Sequence, residues 1–457
     1  MKDPQPPQDP PASAGADRSP SHQLPGSPGG VGTGNPMAES PADPDRVSRG
    51  GRGNAETLAR ILEESRGVRG VSLWQDAWRR LKRNRPAMVS LVALILLGIT
   101  AFLTPLLPLQ SPLDKDLDNR RFLPPSLEPV AMGSRAGLKF REGSLKAELL
   151  AFEAEMAEAH EAAADLAGAD QRADALRRID NRIAVEHPFN QLWNQLGPVS
   201  FAMVRARVAL FGDYALPSLF GTDKLGRDLL ARVFWGARVS LIVGIVATLV
   251  SLMIGVTYGA ISGYFGGTVD AAMMRIVDML YSIPFIFVVI YLVTFLGEEQ
   301  VKAKLESLGI DQITIFYIII GAIYWLTMSR VVRGQVLSLR QEQFIEAART
   351  VGASSMRIVF RHLVPNVLGI VIVYLTLTIP AVMLFEAFLS FLGLGVSPPD
   401  VSWGLLLNDG VEALSSIKLF WWVVVFPGAA LAITLFALNF LGDGLRDALD
   451  PKMKNRG

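Results

Sequence analysis

Cysteine is absent from the 457 residues, and histidine occurs only at His22, His160, His187 and His362. Without thiols there is no disulfide scaffold, no thiol chemistry and no cysteine zinc site. The histidines lack metal-ligand spacing, so no metal site is assigned. Net charge is nearly absent too: 44 Lys and Arg against 43 Asp and Glu leave +1, which carries no nucleic-acid signature. No GxxxxGK[ST] phosphate loop occurs, so the chain has no nucleotide site of its own.

Apolar residues are abundant. Half of the chain is hydrophobic and its mean hydropathy is +0.32, which places it in the membrane class. The uncharged run from Pro86 to Pro108 is long enough to cross a bilayer core of about 30 Å. Further spans are predicted at about Val239 to Ile261, Met274 to Phe295, Ile313 to Met328, Val367 to Leu389 and Leu419 to Leu441. The expected fold is therefore all-α and integral to the membrane, with about six transmembrane helices. An even number puts both termini in the cytoplasm, and Arg446, Lys452, Lys454 and Arg456 agree with that.

Residues 1–71 read as a disordered cytoplasmic extension, rich in Pro, Gly, Ser, Ala and Asp as far as about Gly53 and lacking a signal-peptide pattern. Residues 72–85 place Leu73, Trp74, Ala77, Trp78 and Leu81 on one face among five basic residues, an interfacial helix that feeds the first span, 86–108. Residues 109–238 are polar and of mixed charge, an extracytoplasmic helical insert. Leu149, Phe152, Met156, Ala163 and Leu166 form one stripe there, and Leu176, Ile179 and Ile183 another. Residues 239–457 form a five-helix core.

Three places in the chain carry candidate function. The first is the polar break from Arg330 to Pro365, with Arg330, Arg333, Arg340, Arg349, Arg357 and Arg361 against Glu342 and Glu346. Burying those arginines in lipid would cost roughly 15 kcal/mol on insertion scales, so the loop lies in water, and its positive excess places it in the cytosol. Phe344, Ala348 and Val351, then Met356, Val359 and Leu363, suggest two short amphipathic helices around a glycine turn. Pattern alone leaves open whether their stripes pack on the membrane surface or dock a partner. Pro365 suits the first turn of the fifth span.

The second place is Gly221-Thr222-Asp223-Lys224-Leu225-Gly226-Arg227-Asp228, which suits a turn and a helix cap. The third comprises the ionisable residues within spans. Arg275 and Asp278, three apart on one helix face, are expected to neutralise each other. Glu386 reads either as a hydrogen-bonded structural carboxylate or as the proton site of an ion-coupled carrier. Trp403 is expected at the membrane interface.

Glu346-Ala347-Ala348, Gly352 six residues after Glu346, then Ile358, His362 and Pro365 resemble the "EAA" loop of ABC importer permeases. SLWQDAWRRLKRNR, GTDKLGRD, GYFGG with Asp270, FIEAARTVGAS, RHLVPNVLG, FEAFLSFLGLG and LNFLGDGLRDALDPK are similar to the C-type inner-membrane subunits of oligopeptide and dipeptide importers, of the MetI-like permease superfamily. The resemblance implies several things. The loop would be the coupling helix that fits a groove on a cytosolic ATPase, and Gly221, Thr222, Asp223, Gly226, Arg227 and Asp228 would be a family signature near the extracytoplasmic entry. The partners would be a second permease in a heterodimer, two ABC ATPases that bind ATP and Mg, an extracytoplasmic peptide-binding protein, the inner-membrane bilayer and a peptide substrate. The N-terminal extension and the insert exceed the length the family suggests.

Overall fold

A computed structural model describes residues 73–128, 130–131, 144–166, 168–193, 196–307, 312–396, 398–414 and 418–449. The extension expected to be disordered, and the basic Lys452, Lys454 and Arg456, lie outside the described residues.

The basic amphipathic stretch is helix α1, Leu73–Arg83. Asn84 then caps α2, Arg85–Leu103, its side-chain oxygen accepting the Ala87 N–H at 3.2 Å, with Pro86 in the first turn where a missing N–H costs nothing. Ala77 and Leu81 are buried against Leu445, Ala448 and Leu449 near the chain's end, so part of the expected interfacial face is a helix contact. Trp78 remains 45% exposed.

The next segment carries α3 (Leu145–Ala164), α4 (Ala169–Glu186), α5 (Pro188–Trp193) and α6 (Pro198–Phe211). Two short strands, β1 (Val130–Ala131) and β2 (Tyr214–Ala215), pair antiparallel. Leu149 is buried with Phe189 and Trp193, while Phe152, Met156 and Ala163 are closed over by Ile179 of α4 and Leu176 faces outward.

Helix α7, Leu229–Phe265, starts ten residues before the expected span because Asp228 caps it, accepting the Ala231 N–H at 2.8 Å. Its 37 residues make a rod of about 55 Å, longer than a bilayer core. The expected third span is broken into α8 (Gly267–Ser282) and α9 (Phe285–Leu296), which meet at 81°. Pro284 accounts for the break: it offers no N–H to the preceding turn and pushes Ile283 to an extended φ of −87° and ψ of 124°.

After α10 (Glu299–Ser307), helix α11 runs from Gln312 to Leu339, eleven residues past the expected end at Met328. The extension carries Arg330 and Arg333, paired with Asp278 and Asp270 on α8. Helix α12 is Gln343–Thr350, and α13 is a continuous helix from Ser355 to Phe391. The second short helix expected in the loop is thus the first turns of the fifth span. A π-helical turn at Val359–Leu363 precedes Pro365, so the proline enters a helix already under way; the widened turn relieves its clash with the preceding carbonyl. Helices α14 (Trp403–Ala413) and α15 (Trp422–Leu449) are the last among the described residues.

Among the described residues five helices are long and apolar enough to cross a membrane, and the bent α8–α9 pair makes up to six. The closest packing is α7 on α11. A Cβ on Gly255 would come within 2.6 Å of the Met328 Cβ, and one on Gly259 would overlap the Ser329 carbonyl, so the backbones touch where side chains would separate them. Trp403, expected at the interface, is instead 1% exposed in the core of α2, α7, α13, α14 and α15, and its indole N–H donates to the Val233 carbonyl at 2.9 Å. A fixed hydrogen-bond partner lets the large ring be buried whole.

Candidate functional site

One end of the bundle is built on α12. Ile345 is fully buried among Val332, Val336, Ile358, Val359 and Leu363, so α12 is anchored to α11 and α13. Val256 and Ala260 of α7 complete that core. The helix ends at Gly352, whose φ of +82° lets its N–H reach the Arg349 carbonyl at 2.9 Å while Ala353 N–H reaches Ala348 at 3.0 Å. This is a Schellman close, and glycine is the residue that enters it without strain.

The packed stripe differs by one residue from the sequence expectation. Ile345 and the half-buried Ala348 face the core, whereas Phe344 is 39% and Val351 88% exposed. Met356 and Phe360, each 49% exposed, extend the apolar surface from α13. Of the resemblance-derived residues, Glu346, Ala347, Gly352 and Pro365 lie exposed, His362 is half-buried, and Ile358 is in the anchoring core.

The turn between α7 and α8 stiffens this end. Arg333 grips Asp270 with both guanidinium arms at 2.5 and 2.6 Å, a bidentate fork that Ser262 joins at 2.5 Å. Arg340 donates to the Gly263 and Tyr264 carbonyls, and Arg349 lies 5.5 Å over the Tyr264 ring. The expected Arg275–Asp278 pair is corrected: Asp278 bonds Arg330 at 2.7 Å, and Arg330 also stacks 4.2 Å over Tyr281. Arg275 is exposed on α8. Helix crossing brings Arg330 nearer than spacing along one helix brings Arg275.

The other end is built on the Gly221-to-Asp228 turn. Gly221 and Gly226 have φ of +75° and +76°, and a Cβ on Gly226 would overlap the Asp116 carbonyl. Thr222 Oγ1 accepts the Leu123 N–H at 2.8 Å and donates to the Arg120 carbonyl. Asp223 accepts the Leu225 and Arg227 backbone N–H groups at 2.8 and 3.0 Å through one oxygen. Its other oxygen takes Arg227 at 2.7 Å and Arg232 at 2.5 Å.

Beyond the turn, both arginines also reach Asp409 of α14, at 3.4 and 3.2 Å, and Lys224 bridges Asp409 at 3.1 Å to Glu412 at 2.7 Å. Three cations meet three carboxylates. Burial pushes the Asp409 carboxyl up, but Arg232, Lys224 and Arg227 hold it below the usual carboxylate range. The turn-and-cap reading describes the backbone, while Arg232, Asp409 and Glu412 were not singled out in the sequence. Arg232, nine residues after Asp223 and one turn inside a helix capped by Asp228, was the available signal.

Glu386 is fully buried and accepts a hydrogen bond from Ser390 at 2.7 Å. Ser390 also meets the Val396 N–H and Ser402, and Ser240 receives the Trp403 N–H, so this end of α13 is knotted to α7 and α14.

Residues 255–455 match the family described as the binding-protein-dependent transport system inner membrane component. Residues 72–125 match the N-terminal TM domain of oligopeptide transport permease C. The chain is 50% identical over 233 residues to the oligopeptide transport system permease protein OppC of Haemophilus influenzae, covering 51% of this chain and 70% of that one. To OppC of Escherichia coli K12 it is 39% identical over 399 residues, covering 87% and 97%. To the dipeptide transport system permease protein DppC of Bacillus subtilis it is 44% identical over 289 residues, covering 62% and 86%. An inward-facing structure of the MetNI methionine ABC transporter overlaps at 20% identity and a TM-score of 0.35, over 47% of this chain and 94% of that chain.

Proposed function

The chain belongs to the OppC/DppC family of ABC importer permeases, and from that membership we propose how its two ends divide the work of transport. It is a multi-pass inner-membrane permease subunit of an oligopeptide or dipeptide importer.

The α12 end is the coupling surface for a cytosolic ATPase. The observation that carries this is a two-faced helix. Phe344, Ala347 and Val351 lie open to a partner, joined by Met356 and Phe360 of α13, while Ile345 on the opposite side is locked into the core shared by α7, α11 and α13. A push on the open face is therefore delivered to three spans at once, because packed cores shift between discrete arrangements rather than deform. Glu346 and Gly352 shape the contact. ATP and Mg are bound by two ATPase partners; a second permease completes the pathway, and an extracytoplasmic binding protein delivers the peptide.

At the opposite end, the Asp223, Arg227, Arg232 and Asp409 cluster ties the start of α7 to α14 and holds the mouth of the subunit rigid. The ion-coupled reading through Glu386 has less support, since that carboxylate is enclosed and engaged by Ser390.

Because the chain has no cysteine, Val351→Cys supplies a unique crosslinking site. In the complete complex a short crosslinker should join it to an ATPase subunit, while Ala157→Cys on α3 should not react with that partner. Equal crosslinking at both positions, or none at 351, would remove α12 from the contact.

A further inference from the structure

Helix α6 is apolar on two opposite faces, and only one of them is covered. Phe201, Val204 and Val208 turn inward onto Phe189, Trp193 and Leu149. Val199, Ala202, Met203, Ala206 and Leu210 recur at i, i+3, i+4, i+7 and i+11 and form a single outward stripe. Val199 is 60% and Leu210 70% exposed. A helix on the surface of a water-soluble domain carries polar residues there.

Two arginines fix where this stripe lies. Arg238, on the third turn of α7, donates to the Ser200 hydroxyl at 2.8 Å. Arg207, 1% exposed, donates to the Leu107 and Leu109 carbonyls at 3.2 and 3.1 Å, just past the end of α2. The helix is thereby stapled across the ends of two membrane spans. Between it and Leu106 runs an open groove of about 550 Å³ lined by Leu106, Pro198, Val199, Ala202, Met203 and Ala206. That groove continues the outward face of α2, where Val92, Ile95, Ile99 and Phe102 are each about half exposed. Arg205 stands at the rim, 62% exposed and paired with Glu153 at 3.3 Å, a polar edge to the apolar stripe.

We propose that the outward face of α6 is a membrane-contact surface, seated on phospholipid of the leaflet on the insert side, with the groove beside Leu106 accepting an acyl chain. The insert is then held down on the bilayer, and a helix apolar on both faces is covered on both. This assignment does not depend on which substrate the importer carries.

The test places single spin labels on the full chain through Ala202→Cys, Ala206→Cys and the control Ala157→Cys, in vesicles of phosphatidylethanolamine and phosphatidylglycerol. The removed side chains are small and exposed, so the fold should tolerate the change. Labels at 202 and 206 should collide more with membrane-dissolved oxygen than with an aqueous nickel complex, and the label at 157 should show the reverse. The same preference should persist after assembly with the second permease. Aqueous accessibility at 202 and 206 equal to that at 157 would overturn the proposal. So would labels that lose contact with both probes on assembly, since the stripe would then be a permease–permease contact.

Discussion

Replacing Asp223 with asparagine preserves shape but removes the charge that two buried arginines share. The amide oxygen can keep the Leu225 and Arg227 backbone N–H groups, now at 2.8 and 3.0 Å. Its NH2 group would then face Arg227 and Arg232, donor against donor, where the carboxylate now accepts at 2.7 and 2.5 Å. Breaking a buried pair costs about 3 to 5 kcal/mol. Arg232 keeps Asp409 at 3.2 Å, so the lower figure, about 3 kcal/mol, is expected. Lys224→Met provides the contrast: Lys224 is 33% exposed and bonds Asp409, 16% exposed, and Glu412, 55% exposed, and losing these two more exposed pairs should cost about 1 to 2 kcal/mol. Denaturant titration in detergent, followed by circular dichroism, reads both losses. Equal losses for the two variants would refute the argument that burial, not charge count, gives the cluster its strength.

Further outcomes follow from other parts of the structure. Trp403→Phe should cost about 1 kcal/mol for the bond to Val233, and Trp403→Ala about 3 to 5 kcal/mol, read as the difference in unfolding midpoints. Gly259→Ala should destabilise by about 1 to 3 kcal/mol by forcing α7 off α11, seen as lower yield and a lower thermal midpoint. His187 sits edge-on to Phe152, Phe189 and Phe201, its Nδ1 accepts the Phe189 N–H at 3.1 Å, and burial holds it below its ordinary value, with Glu153 opposing and Arg205 adding to the effect. Its neutral form is the folded one, so this stability is present above about pH 6.5 and lost as the pH falls through the lower folded value. Hydrogen exchange in α3, α5 and α6, corrected for intrinsic rate, should rise on acidification, and His187→Phe should flatten that response.

Local chemistry was legible in the sequence and distant pairing was not. The cap at Asp228 and the left-handed Gly352 follow from residue types whose backbone roles are narrow. The length of α11 was hidden because Arg330 and Arg333 read as water-exposed until Asp278 and Asp270 arrive from α8, 52 and 63 residues away in sequence. Asp409 joins Arg227 of the Gly221-to-Asp228 turn across 182 residues, a distance no periodicity spans. The choice between Phe344 and Ile345 as the buried position is a one-residue rotation of an eight-residue helix, too short for its period to settle. The break at Pro284 is hidden from a count of span length because the residues on either side of it are apolar.

The most direct test of coupling through α12 sets Gly352→Val and Glu346→Lys beside Gly352→Asn. Nothing lies within 4 Å of a Cβ at 352, so the valine change is not opposed by space within the subunit. It is opposed by the φ of +82°, at about 1 to 2 kcal/mol, or a 5- to 30-fold loss of the docking-competent turn. Asparagine adds bulk but tolerates that conformation, so it separates backbone from volume. Membrane abundance, co-purified ATPase and ATP-driven peptide uptake are measured together. The account predicts wild-type abundance for all three variants, with uptake strongly reduced in Gly352→Val and Glu346→Lys, and closer to wild type in Gly352→Asn. Wild-type uptake in both Gly352→Val and Glu346→Lys at equal abundance would contradict it.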